Sequence, residues 1–240
     1  MEKPMTGITA DAVMCAHRGV GGDNRIYWSI GSQDENNTLS WSERKYIEGW
    51  ESRSGVSLCN AGNGVLFCAF VNGDGLLLSL RYFQDPAKGW AWTRDAEILG
   101  RNMADTTPRL VLYRGQLWCI HRGDDDGLLR YTVRNNLNAP KTEWSSDKNV
   151  SNTDAGAGPA ALVLGVGTSD ERLYTLFKGR NSSETIFGAL QKSPGDGWLP
   201  EFTVWESGYT GSTPGVLIFD GSPWLVHSGK DKDNKIWTAK

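Results

Sequence analysis

All three histidines of this 240-residue chain occupy one position of an internal repeat, and three of its four cysteines stand two residues before that position. The segments AVMCAHRG, LFCAFVNG, LWCIHRGD, LYTLFKGR and PWLVHSGK align on His17, Phe70, His121, Phe177 and His227, spaced by 53, 51, 56 and 50 residues. Cys15, Cys68 and Cys119 coincide in that register, and Gly19, Gly123, Gly179 and Gly229 follow the anchor. A second row confirms it: Trp41, Trp92, Trp144 and Trp198, each followed six residues later by Ile47, Ile98, Val150 or Val204. A period of this length means stacked supersecondary units, each unable to bury its apolar faces alone. The repeat runs from end to end, so the chain reads as one domain, 1–240, with repeats over about 1–52, 53–104, 105–155, 156–210 and 211–240.

One repeat shows what the unit is. In the third, TPRLVLY (107–113), QLWCIH (116–121), LLRYTV (128–133) and TEWSSDKNV (142–150) read as four short strands, A to D. They are separated by an Arg-Gly turn, the Gly-bounded loop RGDDDG and the Asn- and Pro-bearing loop RNNLNAP. No segment carries helical periodicity. The second strand is apolar on both faces, so it must be covered on both. Four-stranded antiparallel sheets set radially around an axis meet that demand, each blade packing on two neighbours. The expectation is an all-β, five-bladed propeller with strand A nearest the axis. The fifth repeat ends just after its third strand, so the last blade is expected to have three strands or to have its edge covered by another chain, since an unpaired edge invites pairing.

Composition narrows the partners. A net charge of −3 with bases dispersed among acids leaves no basic stripe for nucleic acid. No apolar run reaches the ~18 residues of a membrane span. The segment MEKPMTGITAD lacks the apolar core of a cleaved signal, which gives a cytoplasmic expectation, or secretion without a classical signal peptide. Three of the cysteines sit in apolar strands at equivalent positions of different repeats and read as free, buried thiols, with Cys59 outside that row. Neither their spacing nor that of the histidines is a metal pattern, and no cofactor is expected.

Candidate contact residues lie in the loops. B–C loops carry a base directly after the anchor (Arg18, Arg122, Lys178) and an acid four to seven residues after it (Asp23, Asp74, Asp126, Glu184, Asp233). D–A loops, on the same face of a propeller, add Thr107 and Thr213 together with Trp50, which follows Gly49. Carboxylates and guanidinium groups each present two hydrogen-bonding atoms at once, which suits vicinal hydroxyls, and an aromatic surface suits the apolar face of a sugar ring. An Asp beside Gly also caps its own turn, the plainer account of any single acid. Packing is likewise the plainer account of the histidine and tryptophan rows.

The chain resembles the propeller lectins, in architecture the five-bladed tachylectin-2 type. The residues that carry this are the second strands Gln116-Leu117-Trp118 and Arg172-Leu173-Tyr174, and Trp strands ending Ile47-Glu48-Gly49 and Ile98-Leu99-Gly100. Asp23-Asn24-Arg25-Ile26-Tyr27 and Asp233-Asn234-Lys235-Ile236-Trp237 are also similar to larger bacterial and fungal propeller lectins, several of which bind fucose. Unlike tachylectin-2, whose repeats are nearly identical, these repeats have diverged. The resemblance implies a non-catalytic, multivalent carbohydrate-binding protein, with glycans or glycoproteins as partners, sugar held in clefts between blades, and the open blade edge as a place for a second copy to pair. The alternatives are a protein-interaction propeller and a five-bladed glycoside hydrolase. The A strands MTGIT, SLCN, RLVLY, AALVLG and GVLIF hold no acid to serve an axial active site, which disfavours the hydrolase.

Overall fold

The computed structural model describes residues 12–36, 38–62, 64–87, 89–100, 103, 105–139, 144–180, 185–204, 210–229 and 235–240. It is a five-bladed β-propeller whose described residues contain no helix. Blade 1 consists of β1 (Ala12–Arg18), β2 (Arg25–Gln33), β3 (Leu39–Trp41) and β4 (Lys45–Glu51). Blade 2 is β5 (Ser57–Asn60), β6 (Leu66–Val71), β7 (Leu77–Asp85), β8 (Gly89–Trp92) and β9 (Glu97–Gly100). Blade 3 is β10 (Arg109–Tyr113), β11 (Gln116–Arg122), β12 (Leu128–Arg134) and β13 (Lys148–Asp154). Blade 4 is β14 (Ala160–Leu164), β15 (Arg172–Lys178), β16 (Ile186–Gln191) and β17 (Phe202–Thr203). Blade 5 is the three-stranded sheet β18 (Gly215–Phe219), β19 (Ser222–Ser228) and β20 (Ile236–Ala239). Every pairing is antiparallel and follows chain order outward from strand A. The first repeat's expected strand A, MTGIT, lies outside the described residues, and so does Pro4.

The core lies between blades. Strands β5, β10, β14 and β18 contact one another in sequence around the axis, as innermost strands must. Alternate residues of each B and C strand face opposite neighbours. Trp118, Ile120, Leu129 and Tyr131 of blade 3 pack with Leu173 and Phe177 of blade 4. Leu117 and Cys119 of the same blade pack the other way, with Phe67, Ala69 and Leu77 of blade 2. His121 is 2% exposed on that side, with Nε2 3.2 Å from Asp147. Trp92, Trp144 and Trp198 join cores formed with the preceding blade.

The outer strands differ from the expectation. The third Trp strand begins at Lys148, not before Trp144, and runs on to Asp154 through residues expected to form a loop. Trp50, expected in a D–A loop, lies in β4. The cause is a break that recurs immediately after Trp41, Trp92 and Trp144. Ser42 Oγ accepts from the Ile30 amide at 3.0 Å, Thr93 Oγ1 from Arg81 at 3.0 Å, and Ser145 Oγ from Val133 at 3.0 Å. A side-chain oxygen thus replaces the backbone carbonyl, and the outer strand is interrupted at that point. The aliphatic row is shifted as well: Ile47 and Val150 are buried, but Ile98 is 52% exposed and Leu99 takes the core position, where the register slips between Leu77 and Leu78.

Candidate functional site

The predicted bases have a shared structural duty. Arg18 Nη1 donates to the Arg53 carbonyl, Arg122 Nε to that of Ala155 at 2.6 Å, and Lys178 Nζ to that of Gly211 at 3.5 Å. Each ties the end of a B strand to the D–A loop leaving its own blade. The acids serve their own turns. Asp23 accepts from the Arg25 amide and guanidinium, and from the Tyr27 hydroxyl at 2.7 Å; the Arg25 and Tyr27 bonds hold its carboxyl far below the usual range. Asp126 accepts from the Leu128 amide and pairs with Arg130. Asp74 sits in an exposed turn with Asn72. Glu184 and Asp233 lie outside the described residues.

Three of the predicted residues meet at one place. Arg18, Thr107 and Thr213 line a cavity of about 520 Å³ where the D–A loops converge, with Arg53, Asp105 and Ser212. Asp105 is paired with Arg53 and Asp154 with Arg180, so both of these described carboxylates are tied to guanidinium groups. Trp50 stands apart, half-buried between blades 1 and 2, its Nε1 donating to the Arg94 carbonyl at 3.2 Å and its ring 6.0 Å from Phe70.

A larger cavity, of about 1420 Å³, lies at the rim and crosses the outer strands of blade 2. Its two sides differ in chemistry. Toward blade 1 stands an aromatic wall: Tyr82 is stacked on Trp90 at 5.6 Å and lies 5.1 Å from Trp92 and 5.4 Å from Trp28. Toward blade 3 stands a polar wall. Ser79 and Glu97 are direct cross-strand partners, and Arg81 is two residues on, on the same face of β7. Arg81 Nη1 donates to Ala139 of blade 3 at 2.7 Å, and burial lowers the pKa of its guanidinium. Glu97 Oε2 accepts from Arg134 and from Trp144 Nε1, both of blade 3.

What remains is informative. Ser79 Oγ, Arg81 Nε and Glu97 Oε1 are buried and have no partner, and the same holds for Tyr82 OH and Trp92 Nε1 on the opposite face of the sheet. Each such group costs about 1–3 kcal/mol unless water or a ligand satisfies it. Together the polar wall offers a donor, an acceptor and a hydroxyl able to act as either. These residues stand in strands, outside the loops that hold the candidates named from sequence. Their signal was visible as Ser79 and Arg81 interrupting the apolar strand LLLSLRYF.

Fold and groove together define a β-propeller with a groove at its rim that is aromatic on one side and polar on the other. No family model matches the chain, and no curated protein matches it. Solved structures do. The SapL1 lectin in complex with alpha methyl fucoside matches with a TM-score of 0.69 at 13% identity, over 95% of this chain and 72% of that one. The BP39L lectin from Burkholderia pseudomallei matches with a TM-score of 0.65 at 14% identity, over 95% and 66%. The NanB sialidase from Streptococcus pneumoniae, as its K499G mutant, matches with a TM-score of 0.60 at 16% identity, over 88% of this chain and 34% of that one. At such identities the likeness is one of fold, and the fold is shared by lectins and by a glycosidase.

Proposed function

We propose that this chain is a non-catalytic carbohydrate-binding protein that holds a sugar in the rim groove of blade 2. The observation that carries the reading is the chemistry of the two faces of the blade 2 sheet along this groove: stacked aromatic rings on the face toward blade 1, and the unsatisfied atoms Ser79 Oγ, Arg81 Nε and Glu97 Oε1 on the face toward blade 3. An oligosaccharide laid across the sheet's outer edge has apolar ring faces for the first and hydroxyls for the second. The set occurs once among the blades described. Blade 1 has Trp28, Ile30 and Lys45 at the equivalent positions, and blade 3 has Tyr131, Val133 and Lys148. The reading is therefore of one principal site rather than five equal ones. The lectins among the similar structures support it. So do the ion-paired carboxylates of the D–A loops, since the sialidase-like alternative needs acids free to act.

The test is a glycan array with the intact chain, followed by titration of the best glycan against Trp90→Ala and Ser79→Ala. Binding competed by the free sugar and weakened about tenfold by each change, equivalent to about 1.4 kcal/mol, is expected. Glycan binding that both variants retain would move the site elsewhere. Failure to bind any glycan at high density would favour a protein-interaction propeller.

A further inference from the structure

Blade 5 presents to solvent the face that every other blade buries. Ile26, Leu77, Leu129 and Ile186 start the C strands of blades 1 to 4, and each is 0% exposed beneath the following blade. Ile236, their counterpart in β20, is 76% exposed. It shares its face with Leu217 and Phe219 of β18, 43% and 64% exposed, and with Trp224 and Val226 of β19.

Blade 1 shows the complementary defect. Its side toward a preceding blade carries Val13, 53% exposed, and Cys15 and His17, both exposed. The equivalent Leu117, Cys119 and His121 are at most 2% exposed. Trp41, 49% exposed, is the one member of its row without a preceding blade to pack on. Among the described residues, blade 5 contacts blade 4 through β18 and β14, while no strands of blades 1 and 5 pack together in that way. Among the described residues both faces are uncovered, a leading face on blade 1 and a trailing face on blade 5.

We infer that the open face of blade 5 receives blade 1 of a second copy of this chain. The two exposed surfaces are the two halves of the interface that joins blades 1 to 4 within the molecule, so the repeat itself supplies their complementarity. Burying an isoleucine, a leucine and a phenylalanine favours the contact; the described residues of the blade 5 face carry no charge, and on the blade 1 face the Arg44 guanidinium lies over the Tyr27 ring, 4.2 Å from its centre. The contact is heterologous: the patch on one copy differs from the patch it meets. Such contacts add copies head to tail, closing only if the rotation permits.

The experiment is light scattering over a range of concentrations on the wild-type chain, Ile236→Asp and Val13→Asp, with circular dichroism to establish that each is folded. The wild type is expected to gain mass with concentration beyond twice its 26.4 kDa. Each variant alone is expected to stay at the monomer mass, having lost one half of the contact. An equimolar mixture of the two is expected to give a 1:1 dimer and no larger species, because a single intact interface remains. A folded wild type that stays monomeric at all concentrations would overturn the inference. So would a Val13→Asp variant that still dimerises alone, which would mean that blade 5 pairs with itself.

Discussion

Arg134 is 0% exposed, and replacing it tests whether the wall of the groove is held by charge. Its Nη1 pairs with Glu97, its Nε donates to Asn136 O at 3.1 Å, its Nη2 donates to Ala139 O at 2.7 Å, and its guanidinium lies 5.2 Å from the Phe67 ring centre. Arg134→Met keeps most of the volume and removes the charge. Glu97 is then a carboxylate in the protein interior with only Trp144 Nε1 donating to it. Breaking a buried pair from one side costs about 3–5 kcal/mol. Arg81 also interacts with Glu97, so the lower end, about 3 kcal/mol, is expected. In a domain of this size that lowers Tm by on the order of 10 °C. Removing both charges in Arg134→Met/Glu97→Met leaves no stranded ion, and the double variant should melt above Arg134→Met alone. The assay is thermal melting of the four proteins of the cycle. A loss below about 1 kcal/mol in Arg134→Met, or a double variant whose loss is the sum of the singles, refutes the reasoning.

Three further outcomes follow from the packing. Burial pushes the Cys59 thiol to about 11 and Cys68 to about 12, whereas Cys15 is exposed, so at dilution, where the blade 1 face is free, a thiol reagent at pH 8 should label Cys15 rapidly and the others only on unfolding. Because these buried thiols ionise later when folded than when unfolded, their stabilisation is complete below about pH 9 and is lost as pH rises toward 12; Cys68→Ala should flatten that decline in urea melts. A Cβ at Gly156 would lie 2.3 Å from the Gly179 carbonyl oxygen, so Gly156→Ala should cost about 1–3 kcal/mol by forcing two loops apart, measured as a lower melting midpoint. Leu129→Ala should cost about 2–5 kcal/mol while Ile236→Ala, at the same repeat position, costs under about 0.5 kcal/mol at dilution, since 0% and 76% exposure separate them.

The register of the anchors was enough to derive five blades, because period and two-faced apolar strands admit few architectures; it left open whether the last blade had three strands or an edge covered by another chain. The outer strands were misplaced at Trp144 and Trp50 because a backbone break made by Ser42, Thr93 or Ser145 looks, in sequence, like one more polar residue in a strand. The groove was harder to read. Ser79, Arg81 and Glu97 are brought together by cross-strand register and by the angle between blades 2 and 3, neither of which a linear pattern encodes. The loop bases Arg18, Arg122 and Lys178 gave a periodic signal, but a latch needed once per blade produces the same periodicity as a repeated binding loop.

The hydroxyl after the tryptophan has a consequence for colloidal behaviour. A propeller's outermost strands are its raw edges, each a template for β-addition by a passing chain. Interrupting the edge at Ser42, Thr93 and Ser145 divides the run of unpaired amides, so blades 1 to 3 offer a shorter template for strand addition than an unbroken outer strand would. Blade 4 has Leu199 at that position, and its outer strand is cut instead to the two residues of β17. One hydroxyl beside the tryptophan thus sets both the path of the strand and how much edge it presents.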